Sequence, residues 1–416
     1  MTFMLLRALK HKNFRLFFFG QSVSLMGTWM QQVAMSWLAY RLTHSAWMLG
    51  LVGFSTQIPT FFIAPFAGVL VDRWTRRKVV LLTQALSLLQ ALTLTFLVLT
   101  HQVSIGWILT LSVLLGFLNA FDVPARQSFL IEMIGKREDL GNAIALNSSM
   151  FNVARLVGPL LAGLLIAAGG EALCFFLNAV SYLAVILAIS AMKIPAKKKT
   201  AHSPPILQQL REGFVYVSSF TPVRRILLLL AIAGFMGMPY TVLMPVFAKE
   251  VLGGGPQTLG FLVASTGAGA LSGAVYLASR KNVRGLLMRL SAASLIFGAA
   301  LTAFSFSRSF WPSMGFLFLA GFGMMVQTIA SNTILQTLVD DSMRGRVMSF
   351  FTVALMGMTP FGHLLAGFLA SRAGGPQTLV FGGLACLLST LWFLSRLPST
   401  RRLVREVYLR KGVISG

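Results

Sequence analysis

The sequence predicts an all-α, polytopic membrane protein of twelve transmembrane helices arranged as two pseudo-symmetric six-helix halves. Three observations predict it. The 416 residues are 56% hydrophobic and only 11% charged, whereas soluble domains carry about 25% charged residues. The apolar residues gather into runs near the ~20 residues that a helix needs to cross hydrocarbon. Of the 35 lysines and arginines, 29 fall on the side of residues 68–78, while only Arg41, Lys249, Arg308 and Arg372 fall opposite and Arg126 and Arg155 lie inside spans. Basic loops are held back during insertion, so this asymmetry with an even number of spans puts both termini in the cytoplasm.

In chain order, the spans read as 14–40, 45–71, 79–101, 103–134, 140–169, 172–192, 226–248, 258–279, 285–306, 310–339, 343–373 and 377–397. Ahead of them, Met1 to Asn13 carries Arg7, Lys10 and Lys12 but no cleavage site after a short apolar core. That segment reads as an interfacial helix leading into the first span. The longest polar stretch, Lys193 to Arg225, contains Lys197-Lys198-Lys199 and Ser203-Pro204-Pro205, which break helix and favour an extended linker. It separates an N-terminal half at 1–195 from a C-terminal half at 223–416 with a basic tail, leaving a cytoplasmic linker at 196–222. The halves look alike at an offset of about 204: Leu160-Leu-Ala-Gly163 with Gly169-Gly170 answers Leu364-Leu-Ala-Gly367 with Gly374-Gly375, and Gly68 is echoed by Gly273. Repeated six-helix units are how transporters build a cavity between two rocking halves.

Composition also excludes. The net charge of +24 does not read as a nucleic-acid binder, because the cations punctuate apolar runs and do not cover a soluble face. Cys174 and Cys386 both fall inside apolar runs, where a cysteine behaves as a small inert hydrophobe, so no disulfide, metal or cofactor is expected.

Two motifs and three charges are candidates for function. Gly68-Val-Leu-Val-Asp72-Arg73-Trp-Thr-Arg76-Arg77-Lys78 is a charge cluster between two apolar runs. Gly68 allows close helix approach, Asp72 can cap a helix N-terminus such as one near Ser342 and Arg344, and the cations can reach a carboxylate such as Glu132. In span five, Ala154-Arg-Leu-Val-Gly158-Pro159-Leu-Leu-Ala162-Gly163 clears one helix face for a neighbour, and Pro159 bends the helix. Charges in hydrocarbon are costly and normally face a partner or an aqueous path. Asp122 lies ~18 Å from the cytoplasmic end of span four and Arg155 ~22 Å up span five, both near the midplane. Arg126 is four residues after Asp122, so the pair also reads as an intrahelical lock. His363 in span eleven is a second titratable candidate, although a lone histidine reads first as a packed core residue. Asn119 and Gln57 are among the neutral polar groups that can line a path.

The Gly-x-x-x-Asp-Arg-x-x-Arg-Arg-Lys pattern resembles the signature between helices two and three of the major facilitator superfamily, and Gly158, Pro159 and Gly163 resemble that superfamily's antiporter signature, with alanine at two glycine positions. The whole chain resembles the branch of siderophore exporters and macrolide efflux proteins, through Gly50-Leu-Val-Gly53, Pro59, Pro124-Ala-Arg126-Gln127, Gly158-Pro159 and Arg344-Gly-Arg346-Val347-Met348. The resemblance implies a monomeric secondary transporter in a bacterial inner membrane that exports an amphipathic small molecule by alternating access with protons as coupling ion. A lysophospholipid flippase or an importer of the same fold is the alternative. The chain lacks the Arg-x-x-x-Gly signature of antiporters in span four, since no arginine precedes Gly116. An enzyme is not expected, because His-Glu-x-x-His and Gly-x-Ser-x-Gly are both absent.

Overall fold

The computed structural model describes residues 6–134, 137–192, 206–280 and 285–411; for 206–210 and for Ala64, Pro65, Gly68, Val69, Asp72, Arg73 and Arg137 it describes the backbone alone. All regular structure among the described residues is helical. After a short 3-10 turn at Arg7–Lys10 come α1 (Lys12–Thr43), α2 (Ala46–Arg73), α3 (Arg76–Leu99), α4 (Ile105–Met133) and α5 (Leu140–Ser190). Then follow α6 (Ile206–Ser219), α7 (Thr221–Val251), α8 (Pro256–Ala278), α9 (Leu286–Phe306), α10 (Phe310–Leu338), α11 (Asp341–Ala373), α12 (Gly375–Ser395) and α13 (Leu397–Arg410).

Ten of these helices are long and apolar enough to cross a membrane. One of the ten, the 51-residue α5, is two passes that run together at Gly170, whose φ of 75° and ψ of 178° are non-helical. The 32-residue α1 is less apolar, with Gln21, Gln31 and Gln32 in its middle, and completes the twelve. Gly374, 204 residues after Gly170, also has a positive φ, 90°. The two halves therefore turn between their last two spans at the same point of the repeat, on a residue type that reaches this region without a Cβ clash.

By contacts the chain forms two compact units, Met1–His202 with Ala248–Ala264 and Ser203–Phe247 with Ser265–Gly416. Within the first, α1 lies along α5, α2 along α4, and α3 against both α4 and α5. Within the second, α9 packs on α10 and α12, over a core that includes Val223, Ile226, Leu290, Ala330 and Ile334. Both α7 and α11 are interrupted by π-helical turns, Ala233–Gly237 and Val353–Gly357, and the two turns touch. A Cβ on Gly234 would lie 2.5 Å from the Leu355 carbonyl oxygen. Local widening of this kind follows from an inserted residue, and period-counting along the sequence does not see it.

The linker departs from expectation. Residues 193–205 lie outside the described residues, but Ile206–Ser219 is helical where an extended segment is expected. Pro204 and Pro205 stand just ahead of this helix, where proline costs no intrahelical bond. The helix is seated on α11 by Arg346–Glu212 at 2.6 Å and by Phe214 against Phe350. The interfacial helix expected at the N-terminus is the short turn at Arg7–Lys10, tied to the start of α5. The Ala8 N–H donates to Asn142 Oδ1 at 2.9 Å, while Arg7 and His11 both reach Asp139.

Close approach sets the crossing of α2 and α4. A Cβ at Gly116 would stand 2.4 Å from the Thr56 carbonyl oxygen and 3.0 Å from Pro59. We expect Gly116→Ala to force these helices apart at an overpacking cost of about 1–3 kcal/mol and to lower the melting temperature of the purified protein by several degrees. Gly141→Ala, where nothing lies within 4 Å of the added carbon, should leave it unchanged. Equal melting of the two variants would contradict this account of the crossing.

Candidate functional site

One buried carboxylate of the first unit, that of Asp122, is fully engaged. Asp122 is 5% exposed on α4, two residues before Pro124, which sits inside the helix. Thr83 Oγ1 and Gln84 Nε2 on α3 both donate to its Oδ1 at 2.9 Å, and Arg126 Nε lies 3.3 Å from its Oδ2. Both carboxyl oxygens therefore have partners inside the bundle, where an unsatisfied polar group costs several kcal/mol. The intrahelical pair of the sequence reading is thus present, with two donors from a neighbouring helix added.

A second buried network lies in the same unit. Asn178 Nδ2 donates to Gln31 Oε1 at 2.7 Å, Gln31 Nε2 to Gln90 Oε1 at 2.9 Å, and Gln90 Nε2 to the Leu111 carbonyl at 3.3 Å. One chain of amides therefore links α5, α1, α3 and α4. Each such interhelical bond contributes on the order of 0.6–2 kcal/mol, and together they set the rotation of four helices about their axes.

Arg155 is elsewhere. Its guanidinium carbon lies 5.7 Å from the centroid of the Trp29 ring, and Trp29 meets Phe151 edge-on at 5.8 Å and 70°. No described ion pair joins it to Asp122; that carboxylate has Arg126. Gly158 makes the Trp29 contact feasible, because a Cβ there would stand 2.6 Å from Trp29 Cβ and 2.8 Å from the Met26 carbonyl oxygen. Pro159 and Gly163 face another neighbour: a Cβ on Gly260 would stand 2.6 Å from the Pro159 carbonyl oxygen, and one on Gly163 would stand 2.8 Å from that of Pro256. The small-residue motif thus seats α5 on α1 with one glycine and on the start of α8 with another.

At the 68–78 cluster, Arg76 binds Glu132 at 2.7 Å, bracing the start of α3 against the end of α4. Arg77 donates to the Ser190 carbonyl at 2.9 Å, and Lys78 is exposed. Asp72 and Arg73 lie in the last turn of α2 and Gly68 one turn earlier, but their side chains are outside the described residues. A helix does begin at Asp341, and Arg344 pairs with that residue. At the opposite ends of the same unit, Arg41 holds Glu171 through two bonds of 2.8 and 3.2 Å, and the Tyr40 hydroxyl donates to Glu250.

His363 is buried on α11, and Asn119 and Gln57 are half-buried. Sequence reasoning missed Thr83, Gln84 and Gln90. Their signal was present, since Val80, Thr83, Gln84, Ser87, Gln90 and Ala91 recur at spacings of three and four and form the buried face of α3. A polar stripe with helical period inside a span marks the side that bonds to other helices. Glu171 and Tyr40 also went unnoticed, each being adjacent to a span boundary where charge is ordinary.

Comparison with known proteins adds the family. The profile of the family described as transmembrane secretion effector matches residues 5–406. The staphyloferrin A transporter of Staphylococcus aureus is 25% identical over 91% of this chain and 96% of its own length. The multidrug efflux pump Tap of Mycolicibacterium fortuitum is 28% identical over 86% and 88%, and the enterobactin exporter EntS of Escherichia coli is 29% identical over 94% and 93%. Among solved structures, a POT family transporter in complex with 5-aminolevulinic acid superposes with a TM-score of 0.72 at 11% identity over 93% of this chain and 96% of that one. A bacterial homologue of the lysosomal transporter Spinster, inward-facing, gives 0.65 at 14% over 96% and 97%. These two likenesses concern the fold alone. With twelve spans, a repeat at half-length and a profile match along nearly its whole length, the chain belongs to the transmembrane secretion effector family of major facilitator superfamily transporters.

Proposed function

We propose that the protein exports an amphipathic small molecule of drug or siderophore class across the bacterial inner membrane, with both termini in the cytoplasm, by alternating access coupled to inward movement of protons. It acts as a transporter, not an enzyme, and works as a monomer. The match to a secretion family along nearly the whole chain carries the export reading, and two of the relatives above are named for efflux or export. The 29-to-4 distribution of basic residues supports the orientation.

Asp122 is the residue proposed to take the coupling proton. It is a buried acid in contact with one arginine and two neutral donors. Protonation removes the charge that holds Arg126 and so releases that guanidinium. The 68–78 cluster is proposed to act as the conformational latch, with Asp72 capping the helix that begins near Ser342 and Arg344. A cap of that kind is worth ~0.3–1 kcal/mol, more when partly buried, and so is on the scale of a bias between two states.

In proteoliposomes with an imposed pH gradient, ethidium, enterobactin and staphyloferrin A serve as test substrates. The wild type should move at least one of them in the efflux direction, and gradient-independent uptake of all three would overturn the export reading. Asp122→Asn should abolish gradient-driven accumulation while substrate exchange persists. Accumulation that survives in a folded Asp122→Asn protein removes Asp122 from coupling and leaves His363 as the next candidate. Asp72→Asn should lower the transport rate several-fold with insertion and melting unchanged, and undiminished flux in that variant would sink the latch.

A further inference from the structure

The cluster around Arg155 has a chemistry that the coupling site does not use. Arg155 stands ~22 Å along α5 at 1.5 Å per residue, at a depth where a charge is expensive unless it meets a partner or water. Among the described residues it pairs with no carboxylate, and its contact is the face of Trp29. Cation–π contact offsets part of that cost but leaves the guanidinium N–H donors available. The residues around it are open. Phe151 is 45% exposed, Trp29, Asn152 and Arg155 are half-buried, and on α1 the same open face carries Ser22 and Gln32. Charges at this depth normally meet a partner or water, so a half-open stripe that carries an arginine, two amides and a hydroxyl suits the wall of an aqueous path better than a lipid face.

The geometry is specific. Trp29 and Phe151 meet at 70°, forming a corner of two rings, and Arg155 lies over one of them. Next to the corner, Asn152 Nδ2 donates to the Ser148 carbonyl at 2.9 Å, whereas its Oδ1 is buried with no donor among the described residues. Gly158 fixes the corner by letting α1 approach at Trp29 itself. We propose that Trp29, Phe151 and Arg155 form a subsite for a planar aromatic group carrying a negative charge. The rings supply edge and face contact, and the guanidinium supplies the charge-assisted bond. The inference rests on the export reading in taking this face as part of the transport path.

The test uses the full chain in lipid nanodiscs and three probes: 1-naphthoate, its neutral analogue 1-naphthamide, and the non-aromatic anion cyclohexanecarboxylate. Binding is measured by equilibrium dialysis against empty nanodiscs. The wild type should hold naphthoate about tenfold more tightly than either comparator, the scale of one charge-assisted interaction. Arg155→Gln should bring naphthoate down to the level of naphthamide, Arg155→Lys should retain part of the preference, and Trp29→Leu should weaken both aromatic probes together. A wild type without preference for naphthoate overturns the subsite, as does equal naphthoate binding by wild type and an Arg155→Gln protein of unchanged melting. Should Arg155→Gln fail to fold, the wild-type preference and Arg155→Lys decide the matter. Absent preference with gradient-driven ethidium efflux intact removes the subsite and leaves export standing. Preference without transport of any substrate removes export and leaves the subsite.

Discussion

Hydrocarbon offers no water, and the rest of this structure follows from that constraint. A polar group placed inside the bundle must find its partner on another helix or open onto a wet cavity, since each unmet group costs several kcal/mol. In the first unit the rule is obeyed in a chain: Asn178, Gln31, Gln90 and the Leu111 carbonyl bond in sequence across four helices. Asp122 is handled likewise, with donors from α3 and an arginine from its own helix. Apolar contact sets how closely these helices pack, and the bonds set which faces meet.

Small residues decide where backbones can come close enough for those bonds to form. Gly158 brings α5 onto α1 at Trp29, and Gly163 with Gly260 brings α5 onto the start of α8. A single ten-residue motif thereby serves two crossings, one beside the Trp29–Phe151 pair and one five residues further along the helix. Gly170 and Gly374 repeat a different device at an offset of 204, a left-handed turn between the last two spans of each half. The repeat is therefore a feature of backbone conformation as well as of composition.

The two half-buried arginines within the spans of the first unit are placed differently. Arg126, one turn from Asp122, neutralises it locally, which frees Arg155 from any obligation to that acid. Arg155 then rests on Trp29, on a half-open face. On the proposed reading the coupling group and the recognition group lie on separate helices, and a change at Asp122 reaches α3 directly through Thr83 and Gln84.

By itself the sequence determined class, span number and repeat, because these rest on quantities that add along the chain: apolar run length, basic residues per loop, and glycine at a fixed offset. Predicted runs at 285–306 and 310–339 became Leu286–Phe306 and Phe310–Leu338. The i,i+4 spacing of Asp122 and Arg126 was also legible, since one helix fixes it. Only the tertiary structure decided which partners Asp122 took from α3, that Arg155 lies on Trp29, that the linker becomes helical from Ile206 once α11 gives it a surface, and that α7 and α11 carry touching π turns. Each of these depends on the rotation and crossing of helices far apart in sequence, set by many small contacts at once and by no single local pattern.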